Sequence, residues 1–124
     1  MSWINVDSTQ DKGQTSESFA LQYLVDNGLQ YLTKNYRNRQ GEIDIILLED
    51  DIYVFVEVKY RKNNQFGGAI SAVTYKKTQK IKQCAKFYLQ QEGLNEYNTP
   101  CRFDIIALEG DINKPQITWL KNAF

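Results

Sequence analysis

The chain has 124 residues, 42% of them hydrophobic, enough for the core of one domain and too many for a disordered chain. Fifteen basic and fifteen acidic residues give a net charge of zero, which argues against a strong, nonspecific nucleic-acid binder. There is no histidine, which excludes histidine general bases, Ser-His-Asp triads and most zinc sites.

Residues 1–12 are polar apart from Trp3, Ile4 and Val6, and read as a partly disordered arm without the features of a secretory signal. Thr15 or Ser16 is the expected cap of a first helix running to about Asn27, with Phe19, Ala20, Tyr23 and Leu24 inward and Gly28 as its stop. On this reading Glu17 lies in the first turn, where a carboxylate suits the helix dipole. Leu29 to Tyr36 is a strand, and Arg37-Asn38-Arg39-Gln40-Gly41 a basic loop. Glu42 to Leu48 and Ile52 to Tyr60 form a hairpin. Ile43, Ile45 and Leu47 lie on one side of its first strand, with Ile46 and Leu48 on the other. Residues 61–68 are a loop, and Ala69 to Val73 a short helix. A longer helix runs from about Tyr75 to Glu92, with Ile81, Cys84, Ala85, Tyr88 and Leu89 inward. Lys77 precedes Ile81 by four residues and so shares the core-side face. Strands at Arg102 to Leu108 and Ile117 to Leu120 complete the order, which predicts a mixed sheet flanked by helices. No apolar run approaches the roughly 18 residues of a membrane span. Cys84 and Cys101 read as reduced and structural, in a cytoplasmic protein.

The chemistry lies in the hairpin. Its strands are apolar on both faces, as in central strands, yet they carry Asp44, Glu57 and Lys59. A two-residue turn at Asp50-Asp51 makes paired positions sum to 101 and sets Asp44 opposite Glu57. Like charges so placed are unfavourable, and a divalent cation between them would remove the repulsion. Lys59, two residues on, shares the face of Glu57. Every charge from Glu42 to Glu57 is negative, and every charge from Val58 to Gln91 is positive. This order suits a polyanion held over a metal, or equally an acidic hairpin beside a solvated basic helix.

A helix glutamate (Glu17), Asp44 in an I-D-I-I strand and Glu57-x-Lys59 on the next strand resemble the PD-(D/E)xK nuclease superfamily. Asn35-Tyr36-Arg37, Gly41-Glu42-Ile43-Asp44, Phe55 to Lys59 with Arg61, Phe66-Gly67, Lys77, Ala85 with Tyr88-Leu89, and Arg102-Phe103-Asp104 resemble the YraN-like bacterial family of that superfamily. The resemblance spans roughly residues 13 to 120. It implies a restriction endonuclease-like αβββαβ core and Mg²⁺-dependent hydrolysis of a nucleic-acid phosphodiester, DNA foremost, with Mn²⁺ as a substitute metal. Asp44 and Glu57 would bind the metal, helped by the Val58 carbonyl. Lys59 would orient the attacking water and stabilise developing charge, and Glu17 would hold a second metal or a metal-bound water. Arg61, Lys77 and Arg102 are the candidate phosphate contacts, with Asp104 orienting Arg102 or Lys77. A resolvase-like enzyme further implies branched DNA and a homodimer, for which Trp3, Trp119 and Phe124 offer apolar surface, although they could equally be core.

Two other functions fit the residues. One is a non-catalytic nucleic-acid-binding module in which the basic helix holds the backbone. The other is a structural role in which Glu57 and Lys59 are an exposed strand-end ion pair, an arrangement that stabilises by only about 0–1 kcal/mol.

Overall fold

The computed structural model describes residues 9–63 and 68–124; the N-terminal arm up to residue 8 and Phe66-Gly67 lie outside the described residues. Helix α1 (Thr9–Asp26) is followed by three strands, β1 (Gln30–Asn38), β2 (Gly41–Glu49) and β3 (Ile52–Arg61). A short 3₁₀ turn (Ile70–Ala72) leads to helix α2 (Tyr75–Gln91), then β4 (Cys101–Glu109) and β5 (Gln116–Leu120). The strands form one sheet in sequence order, β1-β2-β3-β4-β5. All neighbours are antiparallel except β3 and β4, which run parallel because α2 carries the chain back across the sheet. The sequence thus folds as a mixed α/β domain containing the expected αβββαβ order.

Each helix covers one face. Ala20 and Leu24 of α1 pack with Ile45, Leu47, Val54, Val56, Val58, Ile106 and Leu108. Ile81, Cys84, Ala85, Tyr88 and Leu89 of α2, the inward set expected from their spacing, pack with Ile43, Ile46 and Phe55. Full burial of each large apolar side chain contributes about 1.5–3 kcal/mol, so two covered faces make β2 and β3 the most firmly held strands. Among the described residues no helix is long and apolar enough to cross a membrane. Cys84 and Cys101 are free thiols. Trp119 packs against the α1-side core and Phe124 stacks on Phe103, each remaining partly buried.

Four expectations need correction. Helix α1 starts at Thr9, not at Thr15 or Ser16, because one glycine inside a helix, Gly13, costs only about 1 kcal/mol and does not stop it. Glu17 is therefore mid-helix, and the N-terminal dipole does not explain it. The five-residue basic loop is a two-residue turn at Arg39-Gln40, since Arg37 and Asn38 continue β1 and pair with Glu42 and Gly41. Ile43 lies in the α2-side core, not beside Ile45 and Leu47. The alternation of β2 breaks at Asp44, where its pairing with β3 ends.

Candidate metal and phosphate site

The β2–β3 ladder has the register that the Asp50-Asp51 turn dictates: Glu49 faces Ile52, Leu47 faces Val54 and Ile45 faces Val56. Asp50 accommodates the turn with φ +56°. The ladder stops at Ile45–Val56, one pair short of Asp44 and Glu57. Beyond it the Val58 N–H donates to Asp44 Oδ2 at 2.8 Å, so a carboxylate replaces the backbone partner that β2 no longer supplies. This leaves the half-buried Asp44 against Glu57, which is only 2% exposed.

Two ammonium groups converge on the same atom of Glu57. Lys77 Nζ, from α2, lies 2.6 Å from Oε2, and Lys59 Nζ, from β3, lies 3.3 Å from it. Neither meets hydrogen-bond geometry at that oxygen, which is buried and lacks an aligned donor. The exposed ion-pair reading of Glu57 and Lys59 therefore fails: the acid is inside the protein. Such a buried carboxylate persists only where opposite charge faces it.

The electrostatics follow from this crowding. Burial, and after it the charge of Glu57, pushes the Asp44 carboxyl up to about 8. Burial and then the Glu42 charge raise the pKa of Glu17. Burial and the neighbouring Lys77 ammonium hold Lys59 below the ordinary lysine range. For Lys77 burial pulls downward, but its contacts with Glu57 and Lys59 outweigh it and raise the pKa. Lys77 is thus the firmly charged partner, and Lys59 the one eased toward neutrality.

Glu57 also forms part of an open groove of about 300 Å³ between the β1–β2 turn and the start of α2. Gly41, Glu42, Thr74, Lys76, Lys77, Lys80 and Ile81 complete its lining. The β1–β2 turn packs closely on α2 there: a Cβ at Gly41 would stand 3.4 Å from the Lys80 carbonyl oxygen, in van der Waals contact with the helix. Thr74 caps α2 by accepting the Lys77 N–H at 3.2 Å. A helix N-terminus with three lysines presents positive charge to the groove. The other α2 lysines are engaged elsewhere: Lys82 lies over the rings of Phe103 and Phe124, and Lys86 is 3.6 Å from Glu96.

Asp44, Glu57, Lys59 and Lys77 therefore meet, and Val58 joins them through its N–H. Glu17 acts on both acids through space, raising the Asp44 pKa and being raised by Glu57. Among the described residues no three acidic side chains gather closely enough to hold a metal together. Two carboxylates still suit Mg²⁺, which is bound through one or two of them plus waters and substrate oxygens. The buried, unaligned Glu57 Oε2 and the crowded Asp44 fit such an ion. Arg61 is exposed at the end of β3. Arg102 is not brought to the site. Its side chain is tied to Glu49 and to Asp104, with Nε 3.0 Å from Oδ1, near the hairpin turn at the other end of the sheet. The fully buried Asp104 also accepts from Trp119 Nε1 at 2.9 Å and the Asn122 N–H at 2.8 Å. Asp104 does orient Arg102, but for a structural purpose.

With this geometry in place, a family model described as "Uncharacterised protein family UPF0102" matches residues 16–108, which include Glu17, both strands of the hairpin and α2. The chain belongs to the UPF0102 family. It is 62% identical to a UPF0102 protein of Colwellia psychrerythraea over 117 residues, covering 94% of this chain and 91% of the relative. A UPF0102 protein of Legionella pneumophila is 47% identical over 116 residues, 94% of this chain and 96% of its own. One of Aeromonas hydrophila is 46% identical over 123 residues, 98% and 92% of the two chains. This is the YraN-like family to which the sequence motifs pointed.

Sequence reasoning missed Thr74, Lys76 and Lys80 as site residues. The signal was present, since Lys76 and Lys80 are spaced i, i+4 in the first turns after Thr74, a residue type that caps helices. What was absent was the approach of the Gly41 turn to α2, which makes these residues one wall of a groove.

Proposed function

We propose that this UPF0102 protein is a divalent-cation-dependent endonuclease that hydrolyses nucleic-acid phosphodiesters, DNA foremost, in the cytoplasm. The convergence of Asp44, Glu57, Lys59 and Lys77 beside a lysine-lined groove carries this reading. Asp44 and Glu57, with the Val58 carbonyl, would hold Mg²⁺ or Mn²⁺, and Glu17 would hold a second ion or a water. A bound cation lowers the pKa of a coordinated water and neutralises charge on the phosphate. Lys59, covered and shifted toward the neutral form, is suited to orient the attacking water and to pass it a hydrogen bond. Lys76, Lys77 and Lys80, with the α2 N-terminus, would contact phosphates on either side of the cut, with the exposed Arg61 at the end of β3 as a further candidate contact. A groove walled by Lys76, Lys77, Lys80 and a helix N-terminus favours backbone recognition over sequence readout.

The test titrates Mg²⁺ and Mn²⁺ into wild type and Asp44→Asn/Glu57→Gln by calorimetry. It then offers labelled single-stranded, duplex, flapped and four-way DNA to both proteins. The expected result is site-dependent metal binding, and cleavage of at least one DNA form that the double variant loses by about a hundredfold or more. DNA binding without metal binding or cleavage would leave a non-catalytic binding module, for which the groove lysines suffice.

A further inference from the structure

Lys77 stands where a cation would stand. Its Nζ lies 2.6 Å from Glu57 Oε2, the one carboxylate oxygen at the site that is buried and has no aligned donor. Lys59 lies farther away, at 3.3 Å, and is the more covered of the two. Lys77 also differs in origin. It is carried by α2 rather than by the strand, its side chain is 41% exposed, and the same side chain lines the groove. A four-carbon stem with its tip at solvent can reach either the acid or the groove.

We infer that Lys77 is a built-in counter-cation which a divalent metal must displace from Glu57, and that the displacement delivers its ammonium to the phosphate groove. This rests on the reading of Asp44 and Glu57 as a metal site. Oε2 is buried with the Lys77 ammonium 2.6 Å from it, and an ion at coordination distance of about 2 Å would crowd an ammonium held so close to the same oxygen. Without metal, Lys77 keeps the Glu57 charge compensated and the fold intact. With metal the two cations repel, and a substrate phosphate in the groove that Lys77 also lines would receive the ammonium. Lys77 is thus a positioning residue whose effect on metal affinity is opposite in sign to that of a metal-site residue: its removal tightens binding.

The experiment is calorimetric titration of Mn²⁺ and Mg²⁺ into the full chain as wild type, Lys77→Met, Lys77→Gln and Lys82→Met, with thermal melting of each protein with and without metal. Two neutral replacements guard against one that fails to fold. Lys82→Met removes the same charge from the same helix, at a lysine engaged with aromatic rings. Expected are a metal affinity about tenfold higher in both Lys77 variants, a lower melting temperature without metal and a larger rise with it, and a change within about twofold for Lys82→Met. Unchanged or weaker metal binding in the Lys77 variants, with wild type binding normally, overturns the displacement role and leaves the metal site standing. An equal gain in Lys82→Met would reduce the effect to general charge and also overturn it. Absence of binding in every protein overturns both this inference and the metal-dependent function.

Discussion

Asp44 accepts the Val58 N–H at the point where β2 ceases to pair with β3. One side chain therefore both continues the sheet and opens it. It satisfies the donor that the diverging strand abandons, and it is held against Glu57 in doing so. The stability of the strand end and the crowding of the acids are one arrangement, and each can be probed through the other.

The first prediction follows from the raised Asp44 pKa. An unfolded aspartate titrates near 3.9, and the folded one at about 8. Between those values the folded protein holds a proton that the unfolded chain has released, so without divalent cation stability falls as pH rises through that window and levels off above it. Asp44→Asn keeps an acceptor for Val58 and removes the charge. It should flatten the slope and exceed wild-type stability above pH 8 by about 1–3 kcal/mol. Urea unfolding in chelator from pH 4 to 9 measures this; an unaltered slope would place the proton on another group.

Glu17 should behave as a functional rather than a structural carboxylate. Its pKa is raised by burial and by Glu42, so neutralising it removes an unfavourable charge. Because Glu17 is partly solvated, Glu17→Gln should stabilise by no more than about 0.5 kcal/mol, while any DNA cleavage falls by about tenfold or more. A clear loss of stability with cleavage retained would return Glu17 to a helix-forming role.

Arg102 should show the converse. Arg102→Met leaves the fully buried Asp104 with the Trp119 and Asn122 donors but without its countercharge. The expected cost is about 2–4 kcal/mol by chemical denaturation. Metal affinity should be unchanged, because Arg102 lies at the opposite end of the hairpin. A weakened metal titration in the folded variant would bring Arg102 back into the site.

Both thiols should resist alkylation. Burial pushes Cys84 up to about 11 and raises Cys101 as well, so neither is appreciably thiolate at pH 8. Iodoacetamide labelling followed by mass spectrometry should modify Cys84 only when urea unfolds the chain. Rapid labelling of the native protein would show that the α2-side core opens.

Much of this architecture could be read from the sequence because its signals were local. The Asp50-Asp51 turn fixes a register that both apolar strands then obey, and the spacing of Ile81, Cys84, Ala85, Tyr88 and Leu89 marks the inner face of α2. Helix α1 was less clear because a Thr-Ser pair imitates a cap, whereas the helix passes through it. Arg37 and Asn38 were polar enough to suggest a loop, although edge strand β1 tolerates them. The fate of Arg102 was not legible: Glu49 lies 53 residues away in sequence, and only the folded sheet brings the two together. The groove depends in the same way on Gly41 meeting Lys80 across the two layers.

The Asp50-Asp51 turn has one more consequence. It is exposed, polar and about 20 Å of strand from Asp44, the kind of tip where a tag or an extra residue is usually harmless. Here it acts as a ruler. With the turn kept at two residues, one added residue slips the pairing of the strands by one position, turns one strand's side chains to the opposite faces and separates Asp44 from Glu57 without touching either. The turn most accessible to insertion is thus the one whose length the chemistry can least allow to vary.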